Sequence, residues 1–336
     1  MNRRCVVAGM VLAALVALSP LTAAAQAPEG WTVPRTAEGY PDLQGVWANN
    51  SATPLERPEQ WADKTQLTDE ELAAYRAAAA EVTASGLDAV FGDQLAAAAL
   101  AGIRDVDSYD STGNYNQFWL VERDFDNRTS LIVDPPSGRV PARTAEAEHA
   151  GRGLPPPPIA DKADTWADRP LSERCITFGV PSLFAGYNSY YQIFQSPGHA
   201  VVLMEMIHDA RVIPIDGPPH ADQAIRQLHG DSRGRWEGDS LVVETTNYSK
   251  LGSFWNASEN LKVTERFTRA GPDTLQYEIT FTDPTTWTQP WTVMIPLRRS
   301  EDPLFEYACH EGNLGMEGIL AGYRAEEREA AAAEQP

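Results

Sequence analysis

The sequence predicts a mainly β protein, an antiparallel up-and-down barrel with an α-helical N-terminal appendage. Three observations predict it. Between Cys175 and Gly312, eight stretches at short spacing are strand candidates: "YYQIFQ", "AVVLMEMI", "RVIPID", "DSLVVETTN", "LKVTERFTR", "TLQYEITFTD", "WTVMIPL" and "LFEYACH". The turns between them are rich in Gly, Pro, Asp and Asn, the residues that reverse a chain. No βαβ alternation is present, which removes a parallel sheet.

In chain order, residues 1–25 precede the fold. Arg3 and Arg4, the apolar run Cys5 to Leu18 and the small residues Ala23-Ala24-Ala25 predict a secretory signal peptide cut before Gln26. The run is shorter than the roughly 20 residues of a membrane span, and no later stretch is apolar enough to span. Export implies a periplasmic or secreted protein.

Residues 26–113 predict an extended segment followed by a helical cover. Gly45-x-Trp47 matches the first-strand G-x-W of lipocalin-like (calycin-like) barrels, the architecture expected of the sheet. "LTDEELAAYRAAAAEVTASG" is a helix, with Thr68 and Glu71 as a capping box and Gly86 as its stop. "LDAVFGDQLAAAALAGIRD" predicts a second helix. Residues 114–336 form the predicted barrel domain. "NQFWLVE" and "TSLIVD" are two short strands, followed by a turn at Pro135-Pro136-Ser137-Gly138. The proline-rich stretch 154–173 is neither helix nor central strand, and is read as an extended strap over the surface.

The formal charge is −20. An acidic surface repels nucleic acid and anionic membranes but does not name a partner. The expected partner, a small-molecule substrate, follows from the candidate site below, with the oligomeric state left open. Cys175 and Cys309 survive processing. In an oxidising compartment they predict one disulfide, with a free or metal-binding thiol pair as the alternative.

Gly230-Asp231-Ser232-Arg233-Gly234 matches the G-x-S-x-G pattern of serine hydrolases. A nucleophile elbow needs a strand before the serine and a helix after it. Here a Glu237-Gly238-Asp239 turn and a strand follow, so Ser232 is expected to close a polar turn.

Strand parity gives a better lead. In "LKVTERF", Glu265 shares a face with Leu261, Val263 and Phe267. A carboxylate on an apolar face is either a tuned general acid or base, or the partner of an arginine such as Arg211. "EMIHDARVIPIDGPPH" gathers Glu205, His208, Asp209, Arg211, Asp216 and His220. His208, at an expected hairpin tip, suits proton transfer near neutral pH. The expected catalytic set is His208, Glu265 and Arg211, the last holding an anionic or phenolic group. Glu205, Tyr191, Trp236, Trp287, Trp291 and His310 are expected to bind substrate, since aromatic linings suit sugars and aromatic ligands. Four histidines, His208, His220, His229 and His310, with Asp231 or Glu311, could gather on a metal. None shows a ligand spacing such as H-E-x-x-H, so the expectation is no metal and no cofactor.

"EMIHDARVIPIDGPPH", "GDSRGRWEGDSLVVETTNY", "SENLKVTERFTR", "DPTTWTQPWT", "YACHEGN", "PDLQGVW" and "TSLIVDPPSGRVP" together resemble a large family of secreted bacterial proteins without assigned catalytic residues. The resemblance covers most of the mature chain and implies a shared exported fold. Its association with bacteria that break down plant-derived aromatics implies an aromatic substrate. The expected function is a cofactor-independent lyase using acid–base catalysis on a small, lignin-derived type of aromatic in a barrel pocket. The alternatives are a periplasmic lipocalin-like carrier for an apolar ligand, a hydrolase acting on a glycoside or ester, and a structural envelope protein without a deep pocket.

Overall fold

The structure, a computed structural model, describes residues 30–84, 90, 93–102, 119–155 and 163–333. The expected signal peptide, the opening of "NQFWLVE", Gly86 and part of the proline-rich strap lie outside the described residues. No helix among the described residues is long and apolar enough to cross a membrane.

Ten strands make one antiparallel sheet. They are β1 (Gly45–Ala48), β2 (Ile132–Asp134), β3 (Tyr190–Ser196), β4 (His199–Met204), β5 (Ala210–Pro214), β6 (Asp231–Glu237), β7 (Ser240–Thr246), β8 (Lys262–Gly271), β9 (Thr274–Thr282) and β10 (Trp291–Ser300). Their order is β5-β4-β3-β1-β10-β9-β8-β7-β6, with β2 added on β10. Two meanders, β3 to β5 and β6 to β10, are joined through β1, which pairs with both β3 and β10. The strand carrying Gly45-x-Trp47 thus lies mid-sheet, although it belongs to the N-terminal zone by sequence.

The sheet is not closed into a barrel. Its end strands β5 and β6 share no ladder. One parallel bridge, Ile215 to Gly234, and the hydrogen bond from Asp216 N–H to Gly234 O (2.9 Å) link them.

Alternation along the strands builds the core. β8 alternates half-buried and buried residues along its whole length, and Val263, Glu265 and Phe267 point inward as parity requires. Trp47, Tyr191, Ile193, Val202, Ile213, Val243, Phe267, Ile279, Trp291 and Ile295 belong to one buried cluster on this inner face. The Pro197-Gly198 turn between β3 and β4 has only two residues, and Gly198 takes the φ of 74° that such a turn demands.

Three expectations on strands differ from the structure. The described part of "NQFWLVE", Trp119 to Glu122, forms no strand. β6 occupies "DSRGRWE", where a polar turn was expected. Its inward residues, Ser232 and Gly234, carry no aliphatic side chain, so no apolar alternation marks the strand. "LFEYACH" forms no strand. It runs irregularly, anchored through Cys309.

The N-terminal helices are α1 (Asp69–Ala84) and α2 (Gln94–Ala101). The capping box forms as expected: Thr68 N–H donates to Glu71 Oε2 (2.9 Å) and Glu71 N–H to Thr68 Oγ1 (3.2 Å). The helices share a second core with Trp61, Leu67, Tyr75, Val82 and Leu95. Tyr75 Oη ties α1 to the chain after β1 by donating to Ala52 O (2.7 Å). A short α3 (Ala145–His149) follows β2, and α4 (Gly315–Ala333), not foreseen from sequence, ends the described chain. α4 lies against the strap: Arg324 donates to Ala163 O (3.2 Å) and Asp164 O (3.1 Å). Cys175 and Cys309 form the expected disulfide.

Candidate functional site

A cleft of about 640 Å³ lies on the outer side of the sheet rather than inside it. Tyr190 opens β3, and its neighbour Tyr191 belongs to the core, so Tyr190 faces away from the core. Glu205 follows β4 and continues the outward parity of Val201 and Leu203. Its backbone N–H donates to Tyr190 O (2.9 Å), extending the ladder by one step. The opposite wall is the irregular segment 302–309, with Phe305 and Tyr307. Trp119, Val121, Tyr187, Asn188 and Asn313 complete the lining.

Glu205 is the chemically distinctive group here. It is 5% exposed, and its Oε2 has no hydrogen-bond partner among the described residues. Burial pushes its pKa above the ordinary glutamate value, an effect tempered by the Asn188 side chain and the backbone at Phe305 and Tyr190. A buried carboxyl with an unpartnered oxygen, facing an aromatic cleft, is placed to take or deliver a proton.

Strained backbone surrounds it. Asn188, Ile207 and His208 have φ of 42°, 55° and 47°, the left-handed region that costs a side chain energy. Two contacts hold this geometry. The disulfide fixes Cys309 on the cleft wall. Asp209, just past the turn, accepts from Thr177 Oγ1 (2.6 Å) and Phe178 N–H (3.2 Å), with His229 Nε2 at 3.3 Å from its other oxygen. Burial, aided by Arg211 and opposed by Asp209, holds His229 below the ordinary histidine pKa.

His208 is exposed beside the cleft, its Nδ1 3.4 Å from the carbonyl oxygen of Tyr307. Glu265 and Arg211 are elsewhere, in the core. Their carboxylate and guanidinium meet at 2.5 Å (NH1–Oε2) and 2.7 Å (NH2–Oε1), and Tyr277 Oη donates to Glu265 Oε1. Burial alone would lower the Arg211 pKa, but Glu265 reverses the sign and raises it. Of the two readings open for Glu265, the arginine-paired one describes its position.

The expected binding residues disperse. Tyr191 is buried and donates its hydroxyl to Ser182 O (2.9 Å). Trp287 and Trp291 are fully buried in an aromatic cluster with Phe254, Trp255 and Phe281. Trp236 stacks on Tyr40 at 5.3 Å. His310 is exposed, one residue past the cleft wall. Only Glu205 of that set lines the cleft. Tyr187, Tyr190, Asn188, Phe305 and Tyr307 line it without having been singled out as binding residues. Aromatic content near "YYQIF" and "LFEYACH" was the available signal.

The histidines do not converge. His220 sits on Asp231 (3.1 Å), His229 on Asp209, and His208 on Tyr307. Among the described residues no group of three or more His, Cys, Asp or Glu side chains is placed to hold a metal. Ser232 lies within β6, buried, its hydroxyl 2.9 Å from Thr245 Oγ1, with no helix after it. A nucleophile elbow is therefore not formed.

Comparison of the chain with models of known families, with curated proteins and with solved structures finds no match.

Proposed function

We propose that the protein is an exported enzyme, a lyase that uses acid–base chemistry of its own side chains on a small aromatic substrate held in the outer cleft. One observation carries this reading: the Glu205 carboxyl, buried at the cleft with an unpartnered oxygen and a raised pKa. Glu205 is the proton-transfer group. It takes a proton from the atom next to the breaking bond, or delivers one to the departing oxygen. His208, beside the Tyr307 wall with its Nδ1 3.4 Å from Tyr307 O, is the second proton carrier. Tyr187, Tyr190, Phe305 and Tyr307 supply the apolar and π surface for the ring. Arg211 and Glu265 hold the sheet together beneath the site and take no part in proton transfer.

The test is kinetic. On a substrate found by screening aromatic ethers and phenolic dimers, Glu205→Gln is expected to lower kcat by about 100-fold or more, the usual worth of a general acid or base, with KM little changed. Full turnover by the variant would remove Glu205 from the chemistry. Tight binding with no turnover of any screened compound would make the protein a carrier.

A further inference from the structure

Among the described residues, every charged side chain lining the outer cleft is acidic. Glu205 stands on the sheet side, and Asp302 and Glu306 belong to the opposite wall. Five aromatic side chains share these walls: Trp119, Tyr187, Tyr190, Phe305 and Tyr307. We propose that the cleft binds a cationic aromatic, an arylalkylammonium, with the ammonium between the acids of the two walls and the ring on the aromatic side chains. The inference rests on the reading of the Glu205 cleft as the binding site and names the charge class of its substrate.

The hydrogen-bonding groups of the cleft select a donor. Asn313 is committed twice, donating from Nδ2 to Cys175 Sγ (3.3 Å) and accepting Gly315 N–H at Oδ1 (2.9 Å). The Asn188 side chain is engaged by Glu205. The hydroxyls of Tyr187, Tyr190 and Tyr307 can donate or accept, so they serve a ligand of either sign. What remains is a set of acceptors. Glu205 Oε2 has no partner among the described residues, although the residue is only 5% exposed. Asp302 and Glu306 make no ion pair within 4 Å among the described residues. A primary ammonium carries three N–H donors and no acceptor, the complement of this set. A carboxylate ligand would meet only like charges.

No basic side chain competes for these acids inside the cleft. Arg123 and Arg298 lie past Tyr190 beside Glu122 and Asp124, and line no part of it. His208 stands outside the lining, with Nδ1 turned to Tyr307 O. Asp302 and Glu306 are exposed, so solvent weakens what each contributes alone. The rings add to them, because the negative face of an aromatic ring attracts a cation. Trp119 and Phe305 are 60% and 67% exposed, leaving ring surface open to a ligand. At the Glu205 end, burial reduces screening and the ion pair counts for most. An ammonium there also favours the ionised carboxyl, the form that can take a proton.

Calorimetric titration of the protein at neutral pH with para-benzyloxybenzylamine, para-benzyloxybenzyl alcohol and para-benzyloxybenzoate tests this. The amine is expected to bind at least about tenfold tighter than the alcohol, with the benzoate weakest. The preference is expected to shrink in Glu205→Gln and in the double variant Asp302→Asn with Glu306→Gln. It is expected to persist in Glu326→Gln with Glu329→Gln, which removes two exposed acids of α4 outside the cleft. The melting temperature of each variant shows that it folds. Equal binding of amine and alcohol, or tighter binding of the benzoate, would overturn the cation site and leave the aromatic cleft standing. A preference lost equally in the α4 variant would assign it to the acidic surface as a whole and overturn the site. Binding of none of the three would overturn the cleft and the cation site together.

Discussion

Arg211 and Glu265 meet in the core as a two-pronged ion pair, 5% and 0% exposed at their side chains, with Tyr277 closing on the same carboxylate. The pair joins β5, the strand at one end of the order, to β8, third from the other end, where no ladder connects the ends. A buried charge is tolerable only when paired and hydrogen-bonded, so each member depends on the other. Removing one partner strands the other in the core. Glu265→Ala or Arg211→Ala is expected to cost about 3–5 kcal/mol by urea denaturation. The double replacement Arg211→Met with Glu265→Leu is expected to recover most of that loss. A single replacement within about 0.5 kcal/mol of wild type, the range of ordinary surface changes, would contradict a structural role.

The aromatic residues divide between core and cleft, and the division has separable consequences. Trp291→Ala removes a fully buried ring from the aromatic cluster and is expected to cost about 3–5 kcal/mol. Tyr307→Ala, on the cleft wall, is expected to leave the melting temperature nearly unchanged and to weaken aromatic ligands by about tenfold. Thermal melts and titration calorimetry on the two variants check this. The reverse pattern would place the binding aromatics in the core.

Much of this architecture is legible in the sequence. β3, β4, β5 and β7 to β10 announce themselves because their inward positions are apolar at period two, and the same parity puts Glu265 inside. β6 is silent because Ser232 and Gly234 face inward. "LFEYACH" is misleading because its aromatics serve the cleft and its cysteine a disulfide, neither of which needs a ladder. The cleft is the least legible part. Its walls come from Trp119, from the start of β3, from the end of β4 and from residues past β10, and no local pattern announces contacts between segments so far apart. Glu205 was visible as a polar residue continuing an apolar strand. That its Oε2 lacks a hydrogen-bond partner among the described residues is a property of the folded chain alone.

Two buried groups give opposite pH signatures. The folded-state pKa of Glu205 is raised. Below the ordinary glutamate value both states are protonated and nothing is lost. As pH rises past it, the unfolded chain ionises first and stability falls until the folded carboxyl follows. His229 is held below its ordinary pKa, mainly by burial. Its contribution is complete above the ordinary histidine value and is lost as pH falls through the folded pKa. Urea midpoints measured against pH are expected to fall less steeply with rising pH in Glu205→Gln, and less steeply with falling pH in His229→Gln. Curves parallel to wild type in both variants would contradict the shifts.

The disulfide closes a loop across 134 residues of sequence and fixes the cleft wall at Cys309. Cys175→Ser with Cys309→Ser is expected to lose about 4–5 kcal/mol on the chain-entropy account, and to weaken aromatic ligands because the wall loses its anchor. Denaturation with and without reductant measures the first effect, and calorimetry the second. A midpoint insensitive to reductant would contradict the bridge.

The most direct test of the central claim, that the working site is the outer cleft at Glu205, is a crystal structure of the protein with an aromatic ligand such as para-benzyloxybenzylamine. The account predicts an aromatic ring within the Tyr190–Tyr307 cleft beside Glu205. A ligand lodged on the core side of the sheet, beside Arg211 and Glu265, would contradict it.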